Sequence, residues 1–240
     1  LDGISFDIEP GKKVALVGLS GMGKSTILNL MFRFYDVDSG SIELNGKDIK
    51  DYTLESLRAA FAVVPQTPTL LNDTVYENIR YGKLDASTKE IEHAMRAAGL
   101  SDFVDSLSAK ENSLIGEGGE KLSGGQRQRV AIACAILKAS KVIYPIYLLD
   151  EATASLDAST EKEVQKTLDE VTSEHTTFVV THRLSTIINA DTIMVLNNGL
   201  ITEKGSCQSL LQNKDGHFYS LMRDYCRLLG STPEAILQTA

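Results

Sequence analysis

"KKVALVGLSGMGKSTILNLMFRFY", residues 12–35, decides the fold. The apolar, β-branched run from Lys12 to Gly18 reads as a buried strand. It passes into a glycine-rich turn and leaves as the apolar helix pattern "STILNLMFRFY", residues 25–35. Gly18, Gly23, Lys24 and Ser25 satisfy G-x-x-x-x-G-K-[ST], in the strand-to-helix setting that gives this pattern its meaning. Glycines let the backbone wrap phosphates, and the amides at the helix start point toward them. Ser20, Gly21, Met22 and Thr26 complete the loop around a polyphosphate. Lys24 is expected at the β- and γ-phosphates, with the Ser25 hydroxyl on Mg²⁺.

Outward from the loop, "SIELNGKDI" (41–49) reads as a short hairpin turning at Asn45-Gly46, expected at the edge of a sheet. "TLESLRAA" (53–60) is a helix pattern, and Pro65 closes the strand "FAVVPQ" (61–66). From Asn72 to about Ser140 the texture becomes helical. Thr74 with Glu77 and Ser87 with Glu90 are capping pairs, and Ile91, Ala94, Met95 and Ala98 share a helical face. Strand patterns return in "IYLLDE" (146–151), "TTFVVTH" (176–182) and "DTIMVLNNGLITEKG" (191–205). The helix "STEKEVQKTLDEV" (159–171) lies between the first two, striped by Val164, Leu168 and Val171. Such alternation implies an α/β fold with a mostly parallel sheet and ligands at the carboxyl ends of its strands. The expected organisation is one domain over 1–230, with an edge antiparallel part and a helical subdomain at about 72–140. Residues 231–240 read as a flexible tail.

A chain of 240 residues suits one substantial core. With 42% hydrophobic residues, 23% charged and five prolines, its balance is that of a soluble globular protein. No apolar run approaches the roughly 18 residues of a membrane span. "LDGISFDIEPG" has neither the basic nor the apolar region of a signal peptide. A net charge of −8 argues against broad nucleic-acid binding, which needs clustered lysines and arginines. Cys134, Cys207 and Cys226 are odd in number and lack metal-ligand spacing, so free thiols in a reducing compartment are expected.

A second anion site stands far from the first. In "EKLSGGQRQRVAIA" (120–133), Ser123 and Gln126 form a capping pattern ahead of an apolar run, and Gly124 and Gly125 bare the first amides of a helix. "IYLLDE" ends an apolar strand with Asp150 and Glu151. One carboxylate there suits the Mg²⁺ shell, and the second suits orienting or deprotonating a water. His182 follows "TTFVVT" and reaches the same sheet edge if the topology is parallel.

With "GLSGMGKST", "VVPQ", "LSGGQRQRVAIA", "YLLDEATASLD" and "VTHRLST" in that order, the chain resembles the nucleotide-binding domain of an ABC transporter over residues 1 to about 229. The resemblance implies a RecA-like P-loop NTPase core that binds ATP and Mg²⁺. It also implies a second such domain as partner, in a homo- or heterodimer. The two pair head to tail, so that ATP lies between the phosphate loop of one and the Ser123–Gln126 helix start of the other. By the same resemblance Glu151 is the general base, and His182 contacts the γ-phosphate. Asp150 and Ser25 are Mg²⁺ groups, Gln66 senses Mg²⁺ or the attacking water, and Asp157 communicates across the dimer.

"DYTLESLRAAFAVVPQTPTLLNDTVYENIRYG" (51–82) resembles exporter-type domains, with a leaning toward mitochondrial half-transporters. That implies transmembrane helices outside this chain, fused upstream, and a domain facing the cytosol or an organelle matrix. The alternatives are an ATP-binding regulatory cassette with little hydrolysis and a soluble non-transport cassette. The family's adenine-stacking aromatic normally lies further upstream, and no residue here takes that role, so a truncated amino terminus is expected. Leu19 and Met22 replace a common proline and serine, and Cys134 replaces a common arginine. "KASKVIYPIYLLDE" (138–151) is a few residues longer than usual, with Pro145 at the mouth of the strand, and is expected to bulge before Ile146.

Overall fold

The computed structural model describes residues 1–154, 156–228 and 232–233, so most of the tail expected over 231–240 lies outside the described residues. In chain order the elements begin β1 (Lys13–Val17), α1 (Lys24–Met31), β2 (Glu43–Leu44), β3 (Lys47–Asp48), α2 (Leu54–Ala59) and β4 (Phe61–Val64). Then come α3 (Val75–Arg80), α4 (Thr88–Ala97), α5 (Ser101–Ser106), α6 (Gly124–Ala139), β5 (Ile146–Asp150) and α7 (Ala158–Thr172). The chain continues through β6 (Thr176–Val180), α8 (Leu184–Ile188), β7 (Thr192–Asn197), β8 (Leu200–Gly205), α9 (Cys207–Gln212) and α10 (His217–Leu228). Two compact units form, Leu1–Leu54 with Thr176–Ala240, and Glu55–His175.

In the first unit β1 is paired in parallel on both edges. Lys13 to Leu16 face Thr177 to Val180 of β6, and Val14 to Val17 face Thr192 to Val195 of β7. A strand parallel on both sides is covered on both faces, which is why its apolar run is continuous rather than alternating. Val14, Ala15, Leu16 and Val17 are all buried. Asp191, just before β7, fixes where β1 starts. Its carboxylate accepts the Lys13 N–H at 2.8 Å and the Lys12 ammonium at 3.1 Å. The Lys13 bond chiefly holds that carboxyl below its ordinary range.

β8 pairs antiparallel with β7. The stretch 191–205 is therefore two strands, turning at Asn198 (φ 48°) and Gly199 (φ 78°), a pair suited to the left-handed region. The hairpin at Asn45-Gly46 forms as read, but among the described residues β2 and β3 make a two-stranded sheet of their own rather than an edge of the larger one. It is held locally, with the Ile49 N–H on the Ile42 carbonyl at 2.8 Å and the Tyr52 hydroxyl on the Leu44 carbonyl at 2.8 Å. Helix α1 also stops earlier than its pattern. Phe34 N–H donates to the Asn29 carbonyl and Arg33 N–H to the Leu30 carbonyl, both at 2.9 Å. Arg33 has φ 52°. This is a Schellman ending with arginine where glycine is usual. The Arg33 side chain bonds Asp36 at 3.0 Å and the Lys50 carbonyl at 3.3 Å, which offsets the strain of that conformation.

In the second unit β4 and β5 run parallel, Phe61 opposite Ile146 through Val64 opposite Leu149. The lengthened stretch before β5 bulges outward as expected. Ile143 and Tyr144 are 86% and 84% exposed, and the register from Ile146 onward is regular. Around the strands lie α3 to α7. Gly82 permits close approach of the α3 end to α6, since a Cβ there would sit 2.3 Å from the Cys134 carbonyl oxygen. Ile91, Ala94, Met95 and Ala98 are buried as their spacing requires. No helix among the described residues is long and apolar enough to cross a membrane.

Helix α4 opens with a complete capping box. Ser87 N–H donates to Glu90 at 2.8 Å and Glu90 N–H to the Ser87 hydroxyl at 3.4 Å, while the Lys83 ammonium pairs with the same carboxylate. The Lys83 bond first, and Ser87 next, lower the Glu90 carboxyl to about 2 from an ordinary 4.5. A depressed carboxyl stabilises the fold in full above its unfolded pKa, and the contribution fades as pH falls toward the folded value. Glu90→Gln is therefore expected to flatten the dependence of the urea midpoint on pH between about 4.5 and 2, relative to the unchanged chain.

Candidate functional site

Two sets of functional side chains form, one in each unit. In the first unit the loop after β1 begins at Gly18, which is buried against β7, since a Cβ there would lie 2.3 Å from the Leu196 carbonyl oxygen. Gly21 (φ 81°) and Gly23 (φ 100°) carry the chain through conformations that side chains resist. Gly23 is the N-cap of α1 and supplies no side chain to its first amides; no acidic residue stands in its first turn. Ser20, Ser25 and Thr26 are exposed beside them. Met22 sulfur accepts the Asn198 N–H at 3.4 Å, which ties the loop to the β7–β8 turn.

Lys24 is 7% exposed and folds back over the loop, donating to the carbonyls of Gly18 at 2.7 Å and Leu19 at 3.0 Å. A buried ammonium on backbone carbonyls at an uncapped helix start is a fit for a polyphosphate: the amides and the amine are donors, and no carboxylate in the helix's first turn repels the anion. His182 follows β6, half-buried. Because β6 and β1 are parallel, with Leu16 opposite Val180, His182 and the loop stand at the same end of the sheet. The Thr181 hydroxyl accepts the Arg183 N–H at 2.9 Å and fixes the turn that carries it.

In the second unit the same logic places Gln66, Asp150 and Glu151 together at one sheet end, since Val64 lies opposite Leu149 in parallel register. Gln66 is exposed, while Asp150 and Glu151 are half-buried. Glu151 has φ 45°, the left-handed region, and its carbonyl accepts the Ala154 N–H at 2.9 Å. Strain of this kind persists where the surroundings over-determine it, and it turns the Glu151 side chain out of the strand's direction. A carboxylate pair at a strand's carboxyl end fits a divalent cation that needs oxygen ligands. Sequence gave no sign of the Glu151 backbone.

The starts of α6 and α7 lie side by side. Ser123 N–H donates to Gln126 Oε1 at 2.8 Å, and its hydroxyl accepts the Gln126 N–H at 3.2 Å, completing the capping box. Asp157 caps α7, accepting Ser159 and Thr160 N–H at 3.2 and 3.1 Å. The Ser159 hydroxyl bond first, then those of Thr160, hold its carboxyl well below the usual carboxylate range. Asp157, for which the family resemblance implies communication across a dimer, thus also has a local structural task. Gly125 is needed for the two helices to touch: its Cβ would stand 2.2 Å from the Thr160 methyl, while one at Gly124 would lie 3.4 Å from Leu156. One residue passed over in the sequence is Gln128, which is 1% exposed. Its spacing with Ile132, Ala135 and Ala139, all buried on α6, marked the inward face.

Gly125→Ala is expected to lower stability to denaturant by about 1–3 kcal/mol through overpacking. Thr160→Ser removes the obstructing methyl and keeps the hydroxyl, so the double variant should recover most of that loss.

Residues 1–154 match the family model described as "ABC transporter". The chain is 51% identical over 211 residues to ATP-binding cassette sub-family B member 6 of Mus musculus, covering 88% of this chain and 25% of that protein. It is 49% identical over 224 residues to the ATP-dependent lipid A-core flippase of Vibrio parahaemolyticus, covering 93% and 38%. A solved structure of a bacterial Atm1-family ABC exporter with ATP bound superposes with TM-score 0.83 at 46% identity, covering 91% of this chain and 37% of that one. The chain thus spans between a quarter and two fifths of these relatives' lengths.

Proposed function

This chain belongs to the ABC transporter family, with the P-loop NTPase fold, and we propose that it is the ATP-hydrolysing cassette of an exporter, pairing head to tail with a second cassette. The observation that carries the reading is the division of labour between two helix starts. That of α1 has no side-chain cap and has Lys24 beside it, ready for a phosphate chain. That of α6 presents Gly124 and Gly125 but is closed by its own Ser123 and Gln126, suited to meeting a γ-phosphate delivered by a partner.

In this reading Gly18 to Thr26 hold the triphosphate, with Lys24 exchanging its carbonyl partners for phosphate oxygens. Ser25, Asp150 and Gln66 would hold Mg²⁺, which supplies charge neutralisation across the β- and γ-phosphates when bound. Glu151 accepts the proton of the attacking water, and His182 donates toward the γ-phosphate oxygens as charge develops there. The partner's Ser123–Gln126 start completes the enclosure, so ATP holds the pair together and hydrolysis releases it. In the same reading the cassette drives transport through membrane-spanning segments fused upstream; in support, one relative is named an ATP-dependent flippase and a similar solved structure is titled an exporter with ATP bound. The cassette would then face the cytosol or an organelle matrix. The regular register of β5 up to Leu149, beside a bulge that turns outward, favours hydrolysis over an ATP-binding cassette that turns over little.

Glu151→Gln is expected to keep ATP binding, lower turnover by about 10²–10⁴, and accumulate ATP-dependent dimers in sedimentation. Lys24→Ala should instead remove both ATP binding and dimers. Unchanged turnover in Glu151→Gln would remove its assignment as the base.

A further inference from the structure

The segment from β4 to α3 carries Gln66, and both of its ends are pinned by buried amides. At its far end Asn78 accepts the Leu71 N–H at 2.8 Å and donates to the carbonyls of Leu71 and Thr74 at 3.1 and 2.9 Å. At its near end Gln128, on α6, donates its Nε2 to the Pro65 carbonyl at 3.0 Å. Asn78 stands on α3, the helix that the segment leads into, so its bonds are local. Gln128 comes from 63 residues away and is 1% exposed.

We infer that Gln128 is a positioning residue for Gln66, locking it to the helix that begins with Ser123–Gln126. The Pro65 carbonyl shares one rigid peptide plane with the Gln66 amide, so fixing that oxygen fixes the orientation in which Gln66 leaves β4. The proline ring restricts φ just before that plane, so little freedom is left between Val64 and the Gln66 Cα. Gln128 lies two residues beyond Gln126, so any shift of the α6 start is transmitted to the base of the Gln66 segment. Burial of the donor makes the link strong: a glutamine amide at that depth has no water to bond instead. The inference rests on the ATPase reading and adds to it a coupling, within one cassette, between the helix start offered to a partner's ATP and the residue that watches the chain's own.

The test uses the full chain and three variants. Gln128→Met keeps the length and apolar body while deleting the donor. Amide hydrogen exchange at Gln66, Thr67 and Thr69 should quicken in this variant while that of β1 stays unchanged. Turnover should fall about tenfold or more, as small misplacements near reacting groups do, with ATP affinity held within about twofold. Combining it with Gln66→Ala should cost no more than Gln66→Ala alone, because the effect passes through Gln66. Gln128→Glu provides an arm that leaves the side chain's shape intact. Only its protonated form can donate to Pro65, so its turnover relative to the unchanged chain should rise as pH falls. Unchanged exchange at Gln66, Thr67 and Thr69 in Gln128→Met, or additive losses in the double variant, would overturn the inference. Absence of turnover in the unchanged chain would overturn the ATPase reading instead, and the exchange arm would still decide the link.

Discussion

Strand β1 must be paired on both edges and covered on both faces, because four successive apolar residues, Val14 to Val17, have no face that water could occupy. Parallel pairing with β6 and β7 meets that demand. It also dictates where chemistry can happen. Parallel strands deliver their carboxyl ends to one side, so the loop from Gly18 and the turn carrying His182 arrive together without any contact having to arrange them. The buried Gly18, pressed on the Leu196 carbonyl, shows how tightly the loop is seated on this frame.

Three helix starts on the chain solve the problem of unsatisfied amides differently. That of α1 is left without a side-chain cap, with a lysine across the loop carbonyls. Those of α6 and α7 are satisfied by Ser123, Gln126 and Asp157. An uncapped start suits an anion that binds from solution, whereas a capped one keeps its shape until a second molecule presents the anion. Glycine has two separate tasks in these places: conformational freedom at Gly21 and Gly23, and sheer space at Gly18 and Gly125.

Much of this was legible in the sequence because the signals were local. The run into Gly18, the Asn-Gly pair at 45–46, the capping pairs at 87–90 and 123–126 and the stripe Val164–Leu168 each act within one element, and each formed. What escaped depends on backbone conformation or on partners outside the local pattern. Helix α1 ended at Met31 although its apolar pattern ran on, because Arg33 takes a glycine's conformation with help from Asp36 and Lys50. The β2–β3 hairpin was recognised, but nothing in nine residues tells which sheet it joins. Asp150 and Glu151 at the end of an apolar strand were legible in the pattern and Gln66 through the family resemblance, whereas the left-handed backbone of Glu151 and the hold of Gln128 on Pro65 were not.

In the proposed function one ATP is held by two chains, through the phosphate loop of one and the α6 start of the other. A mixture of two inactive variants decides whether this is so. Lys24→Ala spoils the phosphate loop and leaves the α6 start intact; Ser123→Arg does the reverse. Their heterodimer contains one site in which both halves are sound, and ATP turnover, absent from either variant alone, should return on mixing to a substantial fraction of the unchanged chain's rate. If mixing restores nothing while heterodimers demonstrably form, each site is built from a single chain and the head-to-tail account is wrong.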